Sequence, residues 1–170
     1  HSCRYTGPIG KYAFRLILPI WDSYGRVITF QARDITNRHR QKYLNPHGIN
    51  IKNHLYWMDA LYNEGETLKT YLVEGIFDAW RLGVNAVSVF GKEITPTQKQ
   101  KIREMLAIEK CNKELIMCFD SDAYAKTKRI GLDFAATFDG KVGTIKLPKG
   151  EDPDSLGLER IKELKIKWLS

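Results

Sequence analysis

Residues 71–83 read Tyr71-Leu72-Val73-Glu74-Gly75-Ile76-Phe77-Asp78-Ala79-Trp80-Arg81-Leu82-Gly83, and this stretch decides the fold. Tyr71 to Val73 is a short apolar run with the character of a buried strand. Phe77 to Leu82 follows as a helix, stopped by Gly83. Outward from it the pattern repeats: Ala86 to Phe90 predicts a strand, Thr97 to Ile108 a helix, Glu114 to Phe119 a strand, Ala123 to Phe138 a helix and Val142 to Leu147 a strand ending before Pro148. Strands alternating with helices at this spacing predict right-handed crossovers and an α/β lobe whose mostly parallel sheet is covered on both faces. In such sheets ligands collect beyond the carboxyl ends of the strands.

Three of these strands run directly into carboxylates. The first ends in Glu74-Gly75 with Asp78 one helical turn on, the second in Asp120-Ser121-Asp122, and the third is followed by Gly150-Glu151-Asp152-Pro153-Asp154. A parallel sheet gathers all three groups on one rim. On an extended segment Asp120 and Asp122 point to the same side, an arrangement that is repulsive without a cation between them. Magnesium takes oxygen ligands and commonly binds through one or two carboxylates plus substrate phosphates. Each motif alone also has a plain structural reading: Asp122 as the cap of a helix from Ala123, and Asp152-Pro153-Asp154 as the turn that starts the last helix. Glu74 is harder to explain that way, because an acid directly after a buried strand needs a partner. The convergence of the three favours a metal and a phosphorylated ligand.

The remainder of the chain bounds the partners. Of 170 residues, 43% are hydrophobic and 28% charged, as in a globular domain, and the net charge of +7 favours a polyanionic partner. The excess is concentrated between Arg33 and His54, where Arg33, Arg38, Arg40, Lys42 and Lys52 meet only Asp34. Phe14 to Ile20 and Arg26 to Arg33 read as strands around a turn at Asp22 to Gly25, so residues 1–68 form a small basic β-rich lobe, with the pattern changing at Asn63 to Glu66. Tyr5, Tyr12, Trp21, Tyr43, Tyr56 and Trp57 interleave with the basic residues; most are expected to pack, with Tyr43 the candidate for base contact. Lys99, Lys101 and Arg103 read as a solvated helix face, and Ile161 to Trp168 as a basic amphipathic helix. Cys3, Cys111 and Cys118 lack Cys-x-x-Cys spacing and read as reduced thiols of a cytoplasmic protein. No apolar run approaches the roughly 20 residues that cross a bilayer, so no membrane partner is expected. A start at His1 rather than methionine is expected of a piece of a longer polypeptide.

Val73-Glu74-Gly75-Ile76-Phe77-Asp78, then Cys118-Phe119-Asp120-Ser121-Asp122, then Leu147-Pro148-Lys149-Gly150-Glu151-Asp152-Pro153-Asp154-Ser155-Leu156 resemble, in order, the motifs of the Toprim domain of bacterial and phage DnaG-type DNA primases. Upstream, Phe14 to Ile20, Gly25-Arg26-Val27, Phe30, Arg33 and Lys42-Tyr43-Leu44-Asn45 are similar to the basic lobe that precedes Toprim in those enzymes, so the resemblance covers roughly residues 14–156. It implies a basic N-terminal lobe over 1–68, a Toprim catalytic lobe over 69–156 and a C-terminal helix over 157–170. The implied reaction is synthesis of short RNA primers on a single-stranded DNA template from ribonucleoside triphosphates, with Mg2+ or Mn2+ as cofactor. By resemblance Glu74, Asp78, Asp120 and Asp122 are the catalytic acids, and Glu74, Asp120, Asp122, Asp152 and Asp154 the metal ligands. Arg33, Lys42 and Asn45 fall in the basic motif that contacts nucleotide and nucleic acid, and Tyr43 and Lys52 complete that expected set. A replicative helicase, reached through flanking segments, is a further partner the family allows.

Two departures qualify the match. Tyr124-Ala125 stands where these primases have Ala-Gly, and Gly91-Lys92-Glu93-Ile94-Thr95 keeps the glycine and threonine of another primase-like motif with charged residues between them. No zinc-binding module precedes the core in this sequence, so weak or template-indifferent activity is expected from it alone. The rivals are a metal-dependent nuclease, against which the basic motif argues, and a nucleic-acid-binding module without catalysis. A topoisomerase would need further domains.

Overall fold

The computed structural model describes residues 3–22, 24–57, 69–108 and 114–170; the pattern change at Asn63 to Glu66, and Cys111, lie outside them. The chain divides into two compact units, His1–Ile51 and Lys52–Ser170.

The first unit is a four-stranded antiparallel sheet in the order β1 (Arg4–Tyr5), β2 (Arg15–Trp21), β3 (Val27–Asp34), β4 (Tyr43–Leu44). Asp22 closes the β2–β3 turn, accepting the N–H groups of Tyr24 and Arg26 at 2.9 Å each. Behind the sheet Arg15 is buried, and its guanidinium donates to the carbonyls of Gln41 (2.7 Å), Lys42 (3.2 Å) and Ala32 (3.3 Å). Asp34, also buried, accepts the N–H groups of Thr36 and His39 at 2.8 Å. Asp34 at one end, and Arg15 of β2 at the other, therefore anchor the loop that carries Arg38, Arg40 and Lys42, which are themselves exposed.

The second unit runs β5 (Lys69–Val73), α1 (Ile76–Leu82), β6 (Ala86–Ser88), α2 (Pro96–Ile108), β7 (Glu114–Met117), α3 (Tyr124–Ala135), β8 (Lys141–Ile145), α4 (Pro153–Glu163), β9 (Ile166–Trp168). Its sheet has the order β6-β5-β7-β8-β9, parallel except for β9, so the mostly parallel α/β sheet read from the sequence is present. Strand alternation splits the apolar residues between two layers. Leu72, Val87, Leu115, Met117 and Val142 pack with Ile102, Met105 and Leu106 of α2 and Ile130 and Phe134 of α3. Tyr71, Val73, Ile116 and Cys118, buried as well, fall on the opposite face, where α1 packs against α4.

Three expectations are corrected. Ile161 to Trp168 is not a helix: α4 ends at Glu163, Leu164 turns extended (ψ 144°), and Ile166–Trp168 pairs antiparallel with β8. Gly143 makes this possible, because a Cβ there would stand 2.6 Å from Ile166 and 3.0 Å from the Trp168 ring. Asp120 and Asp122 do not lie on an extended segment, since Ser121–Ala123 is a 3-10 turn. The strand from Ala86 stops at Ser88, and Phe90 and Gly91 turn away with φ of 60° and 133°. The units also divide at residue 51/52 where the composition changes near residue 68. Lys52 to Trp57 are tied to the second unit by the Tyr56–Ser88 bridge and by hydrogen bonds to Lys52, Asn53 and His54 carbonyls from Thr95, Lys101 and Gln98.

Candidate active site

Glu74 follows β5 and Asp120 lies just beyond β7. These strands are neighbours, with β6 outside one and β8 outside the other, so the winding reverses between them. That reversal opens a crevice at the carboxyl ends, the place where open α/β sheets bind ligands. Glu74 is held there firmly: its carbonyl accepts the Gly91 N–H (2.9 Å) and the Ser88 hydroxyl (3.0 Å), and its Oε1 accepts the Asp120 N–H (3.2 Å). The turn at Ser121–Ala123 then brings Asp122 round, so that one oxygen each from Glu74, Asp120 and Asp122 lie within 4.8 Å of one another. Burial, and then the Asp120 carboxylate, push Glu74 up to about 7. Three close carboxyl oxygens form a hard-oxygen donor set that fits a divalent cation. The Lys92 ammonium, paired with Asp122, already stands in as a cation at that rim.

The other expected acids are placed differently. Asp78 is buried and outside the cluster; its Oδ2 accepts the Gly75 N–H at 2.8 Å, and the Asp154 N–H also bonds to it, so it joins the starts of α1 and α4. Burial pushes its carboxyl up to about 7. Gly75 is required by this contact, since a Cβ there would stand 2.9 Å from Asp78 Oδ2. Asp152 caps α4, its Oδ1 accepting the Ser155 N–H at 2.7 Å, and Asp154 is exposed in the first turn.

Of the expected nucleotide-contacting residues, Lys52 belongs to the same unit as the cluster. A Cβ on Gly91 would lie 2.6 Å from its Nζ, and the charges of Glu93 and Glu74 act on it against the lowering effect of burial. Arg33, Lys42, Tyr43 and Asn45 belong to the first unit. Arg33 donates to the Tyr43 hydroxyl (2.5 Å) and lies 5.3 Å over its ring, while Asn45 accepts from Gln31 at 3.3 Å. Tyr56 is a core residue whose hydroxyl accepts from Trp80 at 2.7 Å.

A groove of about 700 Å³ beside the cluster is lined by Asp120, Ser121, Asp122, Lys146, Leu147 and Lys149 to Asp152. Lys146 and Lys149 were not singled out in the sequence, where a lysine before and after Leu147-Pro148 resembles any solvated loop; their signal was position, after the third acid-bearing strand.

The family model described as "DNA primase catalytic core, N-terminal domain" matches residues 3–68. The DNA primase of Aquifex aeolicus is 30% identical over 158 residues, covering 88% of this chain. A solved DnaG catalytic core is 30% identical with a TM-score of 0.69, covering 91% of this chain and 54% of that one. The chain belongs with the DnaG-type DNA primase catalytic cores. A DnaG primase catalytic domain solved bound to single-stranded DNA is likewise similar, at 29% identity and a TM-score of 0.68 over 92% of this chain and 53% of that one. The family's arrangement of an antiparallel lobe followed by a mostly parallel sheet is the one found here. This primase-type core spans 30% of the length of the Aquifex relative.

Proposed function

We propose that this chain is the catalytic core of a primase, joining ribonucleoside triphosphates into short RNA primers on a single-stranded DNA template by metal-dependent nucleotidyl transfer. The observation that carries the reading is the meeting of Glu74, Asp120 and Asp122 at the winding reversal of a primase-type sheet. In this reading those three carboxylates hold Mg2+ or Mn2+, and Asp152 borders the groove with one oxygen committed to Ser155. A divalent cation there supplies charge stabilisation of the reacting phosphate and lowers the pKa of the attacking hydroxyl. The chain's own residues do the rest. The Asp120 N–H aims Glu74, and Asp78, buried behind the rim, joins the starts of the two helices that carry it and Asp154. Lys146 and Lys149, which also line the groove, offset triphosphate charge. Arg38, Arg40 and Lys42 of the first unit take the template backbone, and the Tyr43 ring with Arg33 offers a stacking platform.

The test is primer synthesis with labelled ribonucleotides, Mg2+ and single-stranded templates. Asp120→Asn is expected to lower product more than about 100-fold while keeping its circular dichroism and melting cooperativity. Normal product from a folded Asp120→Asn protein refutes the metal role, and cutting of the template without extension makes the chain a nuclease instead.

A further inference from the structure

Lys92 sits at one of the points where the sequence departs from the primase-like pattern, between Gly91 and Thr95. The structure puts that departure at the metal rim. The ammonium of Lys92 pairs with Asp122, and the charges of Glu74 and Asp120 act on it too. Its position is set from both sides. Before it, Gly91 turns at φ 133° with its N–H fixed on the Glu74 carbonyl at 2.9 Å. After it, Glu93 pairs with Lys126 of α3. Two ion pairs of opposite sense thus fasten the segment after β6 to the start of α3, and Lys92 is the half that reaches a cluster acid.

We propose that Lys92 is a tethered counter-ion of the acid cluster, competing with the divalent cation for Asp122 and displaced from that carboxylate when the cation binds. The proposal rests on the metal reading above and adds a residue that sets the affinity of the centre. The Lys92 side chain is 46% exposed and that of Asp122 69%, and a pair this open to water is weak, so a cation can displace it. What would remain after displacement is repulsion between the ammonium and the doubly charged ion, weakening metal binding by a factor on the order of ten. An uncharged residue at position 92 removes that repulsion.

Mn2+ binding to the chain, followed by loss of the free-ion paramagnetic resonance signal, reads this without catalysis. Lys92→Gln is expected to bind Mn2+ about tenfold tighter than the unmodified protein, Lys92→Arg about equally, and Asp120→Asn far more weakly. Tightening on removal of a lysine is the reverse of what loss of a merely structural pair would do. If Lys92→Gln binds no tighter while the unmodified chain binds and Asp120→Asn does not, the counter-ion role is overturned and the metal centre stands. If the unmodified chain takes up no Mn2+, or Asp120→Asn takes it up equally well, the centre itself falls and the role of Lys92 falls with it.

Discussion

Glu74 carries an electrostatic cost when it ionises. Burial and the adjoining Asp120 raise its carboxyl from an ordinary 4.5 to about 7, so the folded chain without metal holds a proton that the unfolded chain releases. The contribution of Glu74 to stability is therefore fully present below about pH 4.5 and lost as pH rises through about 7. Glu74→Gln, which cannot ionise, is expected to melt roughly 5 °C above the unmodified metal-free protein at pH 8, with the gap closing toward pH 4.5 and on addition of Mg2+; calorimetry across that range checks it. Asp34 shows the opposite sign. Burial works against its charge, but hydrogen bonds from Thr36 and His39 hold it well below the usual carboxylate range, so its contribution is lost in acid. At this scale the sequence was readable where physics left one option: an acid after a buried strand had to have a partner, and Glu74 has one. Lys92 and Lys146 were not readable as site residues, because a charged side chain on an exposed loop looks the same whether it faces bulk water or a carboxylate.

Among the elements, the alternation of strands and helices from Tyr71 to Ile145 was legible because buried parallel strands leave little freedom in composition. The last strand was not. Ile161, Leu164, Ile166 and Trp168 satisfy helical and extended spacing about equally, and what decides between them is Gly143, which is distant in sequence and leaves room for Ile166 and Trp168 on β8. Gly143→Val is accordingly expected to destabilise the protein by about 1–3 kcal/mol in urea unfolding, through displacement of β9. The Asp120–Asp122 pair was legible in identity and misread in geometry. Strand spacing predicted that both carboxyls share a side, and a 3-10 turn brings them together instead.

On the scale of the whole molecule, charge is unevenly divided between the two units. The first unit exposes Arg38, Arg40 and Lys42 on a loop anchored from beneath by Arg15 and Asp34, and the second gathers acids at the carboxyl ends of two neighbouring strands. Among the described residues no helix is long and apolar enough to cross a membrane. Lys42→Ala is expected to weaken single-stranded DNA binding at low salt and to reduce the slope of log affinity against log salt by about 0.7; an unchanged slope in a fluorescence titration removes Lys42 from the interface. The order β6-β5-β7-β8 has one more consequence. Glu74 and Asp120 are neighbours only because β7 pairs with β5 on the side opposite β6. A fragment that ends before Glu114 therefore holds Glu74 without Asp120 or Asp122, and the acid cluster is complete only in a chain long enough to supply the third parallel strand.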